Sequence, residues 1–353
     1  MPSSLRDFDP SAASVSGTLY GLPFDVESAR LVVLPVPWEV TVSYGGGAAR
    51  GPRAILEASG QVDLYDSEHP GAWKQGIAMA EIPSDLEAAG ARLREEAAKC
   101  IAAISSGKRK PSPSALRRVN DGCEVMVARV RREAKSLLEK GKLVAVLGGD
   151  HSVPLGLMQA LAETGRSYGI LHIDAHCDLR EAYEGFVHSH ASILYNALGI
   201  RAVTRLVQVG IRDYSEEEVE TIRKSEGRVR LFDYRALSKR RFAGESWAKL
   251  VEEIVAELPG EVYVSFDIDG LDPALCPGTG TPVPGGLSFE EALYLIERIP
   301  ASGRRIIGLD LCEVSPGKAE DEGEWDANVG ARVLYRLCCA ALGSDQPSSV
   351  SGQ

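Results

Sequence analysis

Basic residues are in deficit in this chain. Its 39 lysines and arginines stand against 50 aspartates and glutamates, a formal charge of −11 at pH 7. A surface of that sign argues against nucleic acid or an anionic membrane as a partner. No run reaches the ~18 apolar residues of a membrane-crossing helix, and the amino terminus lacks a basic stretch followed by an apolar one. The 7 cysteines are odd in number and include no C-x-x-C pair. That excludes a regular disulfide framework and fits reduced thiols in a cytoplasmic protein. No unit recurs at a fixed period, which excludes a solenoid.

What is present is ordinary globular material: 353 residues, 44% hydrophobic and 25% charged. Strand and helix signals alternate to the end, which predicts one α/β/α three-layer domain with a mainly parallel central sheet. The expected strands are 31–36, 76–82, 143–147, 168–173, 205–209, 228–232, 262–266 and 304–311. Helical periodicity runs over 52–59, 85–106, 114–140 (with a break expected near Asp121-Gly122), 215–224, 246–258, 288–298 and 326–341. Residues 1–17 and 343–353 have the composition of poorly ordered ends, leaving 18–342 as the single domain. The basic, proline-bearing run from Gly107 to Pro113 reads as an exposed loop.

Three short segments carry chemistry: Gly148-Gly149-Asp150-His151-Ser152, Asp174-Ala175-His176-Cys177-Asp178 and Asp267-Ile268-Asp269-Gly270. Each follows a run that reads as a buried strand, and ligand sites in open parallel sheets collect past the carboxyl ends of strands. His151, Asp174, His176, Asp178, Asp267 and Asp269 are thus six candidate metal ligands sharing one crevice. If the backbone stays extended, alternate residues of Asp-x-His-x-Asp point the same way, and Cys177 points elsewhere. Oxygen-rich ligands with imidazole suit Mn²⁺ or a similar ion, with Ni²⁺, Co²⁺ and Fe²⁺ as alternatives. Six ligands are too many for one open catalytic ion and about right for two. Asp150 and Asp272 read as supporting groups, and His172 as a core residue beside the centre.

These segments resemble the signatures of the ureohydrolases, the arginase and agmatinase family of binuclear manganese enzymes. Pro37-Trp38-Glu39 through Gly51-Pro52-Arg53, Pro277-Gly278-Thr279-Gly280-Thr281-Pro282 and Gly308-Leu309-Asp310-Leu311-Cys312-Glu313 are similar to further family segments. The stretch 84–140 matches nothing specific. The resemblance implies Asp174 and Asp267 as metal-bridging carboxylates, with His151 and Asp178 completing one ion's shell and His176 and Asp269 the other's. It implies His190 as proton shuttle, with His188 as a rival, and Glu313 as partner of the substrate guanidinium. A homo-oligomer, trimer or hexamer, is implied as well.

The chemistry so implied is hydrolysis of a small cationic guanidino compound to urea and an amine. Asp-Leu-Arg, Tyr-Glu-Gly and Ser-His between 178 and 190 look like bacterial agmatinases, whose product feeds polyamine synthesis. The Ser-Gly-Asn-Leu-His segment of arginases is absent. A substrate ammonium would meet Glu181 or Glu184. Arg180 would suit a carboxylate tail such as guanidinobutyrate or formiminoglutamate, unless it pairs with Glu184. Arginine and free guanidine stay on the panel. A single-Zn²⁺ deacetylase of the same fold or an inactive regulator would have lost ligands, and all six are here.

Overall fold

The computed structural model describes residues 5, 8–11, 17–107, 110–316 and 324–345. Most of the expected leader, residues 346–353 of the expected tail, and Lys108 and Arg109 of the basic loop lie outside the described residues. Eight strands form one sheet: β1 Leu31–Val36, β2 Ile77–Met79, β3 Leu143–Gly148, β4 Tyr168–Ile173, β5 Val203–Val209, β6 Val229–Phe232, β7 Glu261–Asp267 and β8 Arg305–Cys312. Their order is β2-β1-β3-β8-β7-β4-β5-β6, and every neighbouring pair is parallel. The sheet is therefore wholly, rather than mainly, parallel. β1, β3 and β4 are buried along their full lengths. That is why they read as unbroken apolar runs: helices cover both faces.

The helices are α1 Gly51–Ser59, α2 Ser84–Ser105, α3 Pro113–Glu139, α4 Leu155–Glu163, α5 Ile193–Leu198, α6 Glu216–Lys224, α7 Tyr234–Phe242, α8 Trp247–Ala256, α9 Phe289–Ala301 and α10 Glu324–Ser344. Ser215 and Ser288 open α6 and α9 with capping boxes, each answered by a glutamate three residues on. The break expected near Asp121-Gly122 does not occur. Gly122 sits inside α3 because α2 crosses it there: a Cβ would meet Leu93 Cδ1 at 2.3 Å. Three helices carried no readable period. α4 is apolar nearly all round, α5 is a turn and a half, and α7 buries only Leu237.

The order β3-β8-β7-β4 puts four neighbouring strands at the middle of the sheet, and the candidate ligands follow three of them. The turn after β3 approaches the Trp38 loop so closely that a Cβ on Gly149 would lie 1.9 Å from the Trp38 carbonyl oxygen. Only glycine fits there. The Asp150 N–H then donates to the same carbonyl at 2.8 Å, which fixes the backbone that presents His151.

Candidate metal centre

His151 is fully buried, with Nε2 2.9 Å from Ser265 Oγ on β7. Its Nδ1 faces three carboxylates: Asp174 at 3.1 Å, Asp178 at 3.2 Å and Asp267 at 3.3 Å. A second group forms beside it. His176 Nδ1 lies 3.1 Å from Asp269 and 3.4 Å from Asp174, so Asp174 belongs to both. The backbone does not stay extended through this segment, as alternation would require. β4 ends at Ile173, and Asp178 has a φ of 54°. The turn swings Asp178 to the His151 side, away from His176.

Supporting bonds hold these side chains. The Asp269 N–H donates to Asp267 at 2.9 Å, the Ala175 N–H to Asp269 at 3.0 Å, and the His176 N–H to Asp174 at 2.6 Å. His172 sets Nε2 2.8 Å from Asp174, and Gln208 of β5 contacts its other ring nitrogen at 3.0 Å. Arg212 donates to the backbone carbonyls of Asp269, Leu271 and Val283, tying the turn after β7 in place. Asp310, buried in β8, lies 3.6 Å from His151 Nε2. Gln208, Arg212, Ser265 and Asp310 were not anticipated. For the last two, the signal was a polar residue inside an apolar strand.

Burial, then Asp174, pushes Asp178 up to about 6, and burial, then Asp269 and Asp174, pushes Asp267 well above the carboxylate range. Burial opposes the charged form of His176, yet Asp269 and Asp174 outweigh it and raise the ring to about 12. Asp174, by contrast, is held well below the carboxylate range, its burial outweighed by His172, His151 and His176, so the buried carboxylates around it call for positive charge of the same kind. Imidazole nitrogens with carboxylate oxygens, spaced by about 3 Å, are the donor set of a hard divalent ion. The two buried His/Asp groups fit a binuclear metal site.

Glu313 follows β8 with a φ of 62°, and its Oε1 accepts the His151 N–H at 2.9 Å. Burial, reinforced by Asp150, raises its pKa well above the usual range. His190, partly buried, places its ring 5.9 Å from that of Tyr183. Burial and then the charges of His176 and His151 push it down to about 4, so it stays neutral at physiological pH. His188 is engaged elsewhere, by Glu124 of α3 at 2.6 Å. Arg180 does not pair with Glu184: it stacks over Tyr183 at 5.0 Å and lies 3.9 Å from Glu218. Glu181 is exposed, whereas Glu184 has a buried Oε2 with no hydrogen-bond partner among the described residues. Asp272 accepts the Ala274 N–H at 2.9 Å, within its own turn.

An eight-stranded parallel sheet with buried His/Asp clusters past its strand ends, fit for a binuclear metal site, marks a class of metal-binding α/β protein. The Arginase family matches residues 29–340. N(1)-aminopropylagmatine ureohydrolase of Thermus thermophilus is 35% identical over 308 residues, 87% of this chain and 88% of that protein. Guanidinobutyrase of Pseudomonas aeruginosa is 34% identical over 330 residues, 91% of this chain and 89% of that one. Proclavaminate amidino hydrolase from Streptomyces clavuligerus superposes with a TM-score of 0.71 at 23% identity, covering 96% of this chain and 100% of that one. The chain belongs to the arginase family and is a ureohydrolase, a hydrolase of linear amidines.

Proposed function

We propose that the protein hydrolyses a guanidino compound with a cationic tail, agmatine to putrescine and urea first among them, using two Mn²⁺ ions per chain. Ni²⁺, Co²⁺ or Fe²⁺ would accept the same ligands. His151 and Asp178 would hold one ion and His176 and Asp269 the other, with Asp174 and Asp267 available to both. When bound, such a pair supplies an acidified water and neutralises the carboxylate cluster. Glu313, whose Oε1 is taken by the His151 N–H, turns its other oxygen to the substrate guanidinium. His190, held neutral, takes a proton and returns it to the departing amine. The catalytic unit is 18–342, working in the cytoplasm as a homo-oligomer, trimer or hexamer.

The observation that carries the choice of tail is the buried Oε2 of Glu184, without a hydrogen-bond partner among the described residues, in the residue next to Tyr183, whose ring lies 5.9 Å from that of His190. Burial raises its pKa, and such an acceptor is satisfied by a substrate ammonium. The relative named for aminopropylagmatine takes a longer cationic tail, and the same carboxylate would serve it. A second reading, a guanidino acid, has the guanidinobutyrase relative in its favour. Against it, the Arg180 guanidinium stacks over Tyr183 at 5.0 Å and has Glu218 3.9 Å away. The test is urea release by Mn²⁺-loaded protein from agmatine, aminopropylagmatine, guanidinobutyrate, arginine and free guanidine, with formamide from formiminoglutamate followed in parallel. Preference for the two cationic tails supports this reading, and preference for an acid overturns it.

A further inference from the structure

Glu184 occupies an unusual backbone position. Tyr183 and Phe186 exchange both backbone hydrogen bonds, at 3.1 and 2.8 Å, so Glu184-Gly185 forms a two-residue hairpin turn. Both turn residues have positive φ, 54° and 86°. Such turns favour Asn, Asp or Gly at the first of these positions, and a glutamate there is strained. Something outside the turn must hold it.

That support comes from α3. Leu116, Asn120 and Glu124 recur every four residues and so share one helix face. The face runs along the loop in register. Leu116 lies where a side chain on Gly185 would be, at 3.0 Å. The Asn120 side-chain amide donates to the Gly185 carbonyl at 3.1 Å and accepts the Val187 N–H at 3.0 Å. Glu124 meets His188 at 2.6 Å. Arg94 of α2, whose guanidinium donates to the Val40 carbonyl at 3.2 Å, lies near enough to oppose the rise in the Glu184 pKa.

We propose that Asn120 is a positioning residue for substrate recognition. Its amide clamps the strained turn and thereby aims Glu184 at the cationic tail. The 84–140 stretch thus belongs to the substrate site and sets its tail preference. This rests on the functional reading above for the tail, but not for the clamp.

The test compares Asn120→Ala with the wild-type enzyme on agmatine and on methylguanidine, which has no tail, and follows amide exchange at Val187. The expected result is a KM for agmatine raised about ten-fold with a smaller change in kcat, unchanged methylguanidine kinetics, and faster Val187 exchange. Asn120→Asp, which keeps the acceptor for Val187, should restore slow exchange. In a Glu184→Gln background the Asn120→Ala effect on agmatine should vanish. Equal losses on both substrates, or Val187 exchange that does not change, would overturn the proposal. Wild-type protein inactive on agmatine would sink the functional reading, while the exchange result, needing no substrate, would still decide the clamp.

Discussion

Asp174 reaches both halves of the centre: one carboxylate oxygen lies 3.1 Å from His151 and 2.8 Å from His172, the other 3.4 Å from His176. A side chain so placed would be shared by ions held in the two halves. Asp174→Ala should therefore lose bound metal and urea release together, measured by elemental analysis beside the assay. His190 touches none of the six candidate ligands through any hydrogen bond among the described residues. Its truncation to alanine should leave the metal content intact and lower kcat by ~10²–10⁴-fold, with partial rescue by added imidazole. At this scale the sequence was highly legible, because Asp-x-His-x-Asp and Asp-x-Asp name their own donors. It was least legible where direction mattered. The left-handed turn at Asp178 and the placement of Arg180 beside Tyr183 and Glu218 depend on neighbours that no local pattern announces.

Among the described residues, five non-glycine positions have positive φ; Asp178 and Glu313 lie at the His/Asp cluster, and Glu184 in the hairpin proposed to meet the substrate tail. Strain of this kind costs about 1–2 kcal/mol at each position and persists where the surroundings fix it. Relieving it at the hairpin should separate stability from function. Glu184→Asn, a residue at ease in that conformation, should raise stability by about 1 kcal/mol in urea unfolding while weakening agmatine binding. The first turn of α10 offers a pH test. Asp326, 1% exposed, accepts the Gly278 N–H at 2.8 Å, and burial pushes its pKa up to about 6. The folded state then binds this proton more tightly than the unfolded chain. Stability from this group is present below the ordinary value of 3.8, falls as pH rises to about 6, and is flat above. Asp326→Asn should match wild type at the acid end and exceed it above pH 6 by on the order of 2 kcal/mol, read from unfolding curves at several pH values. Elements with a clear period or cap were readable, such as α6 and α9. α4 was not, since a helix whose only polar residues are Gln159 and Glu163 has no continuous polar face to mark its turns.

Across the whole molecule, parallel strands with covered faces fix where chemistry can occur. Side chains of the central strands are packed on both sides, so it is their ends that open to a ligand. The candidate ligands join β3, β4 and β7, while Glu313 extends β8. Divalent ions bound there would cross-link β3, β4 and β7, three of the four central strands, and stability should rise with metal concentration as mass action requires. The alternation of strands and helices made the architecture legible from sequence. The role of 84–140 was not, because its meaning lies in contacts with a loop some 60 residues away, Asn120 to Gly185 being separated by 65.

The most direct test of this account is a titration of metal-free protein with Mn²⁺, counting ions bound per chain while urea release is followed. The account predicts saturation at two ions per chain, with activity appearing as the second binds, and fewer than two for Asp174→Ala. Saturation at a single ion with full activity, or two ions retained by Asp174→Ala, would contradict it.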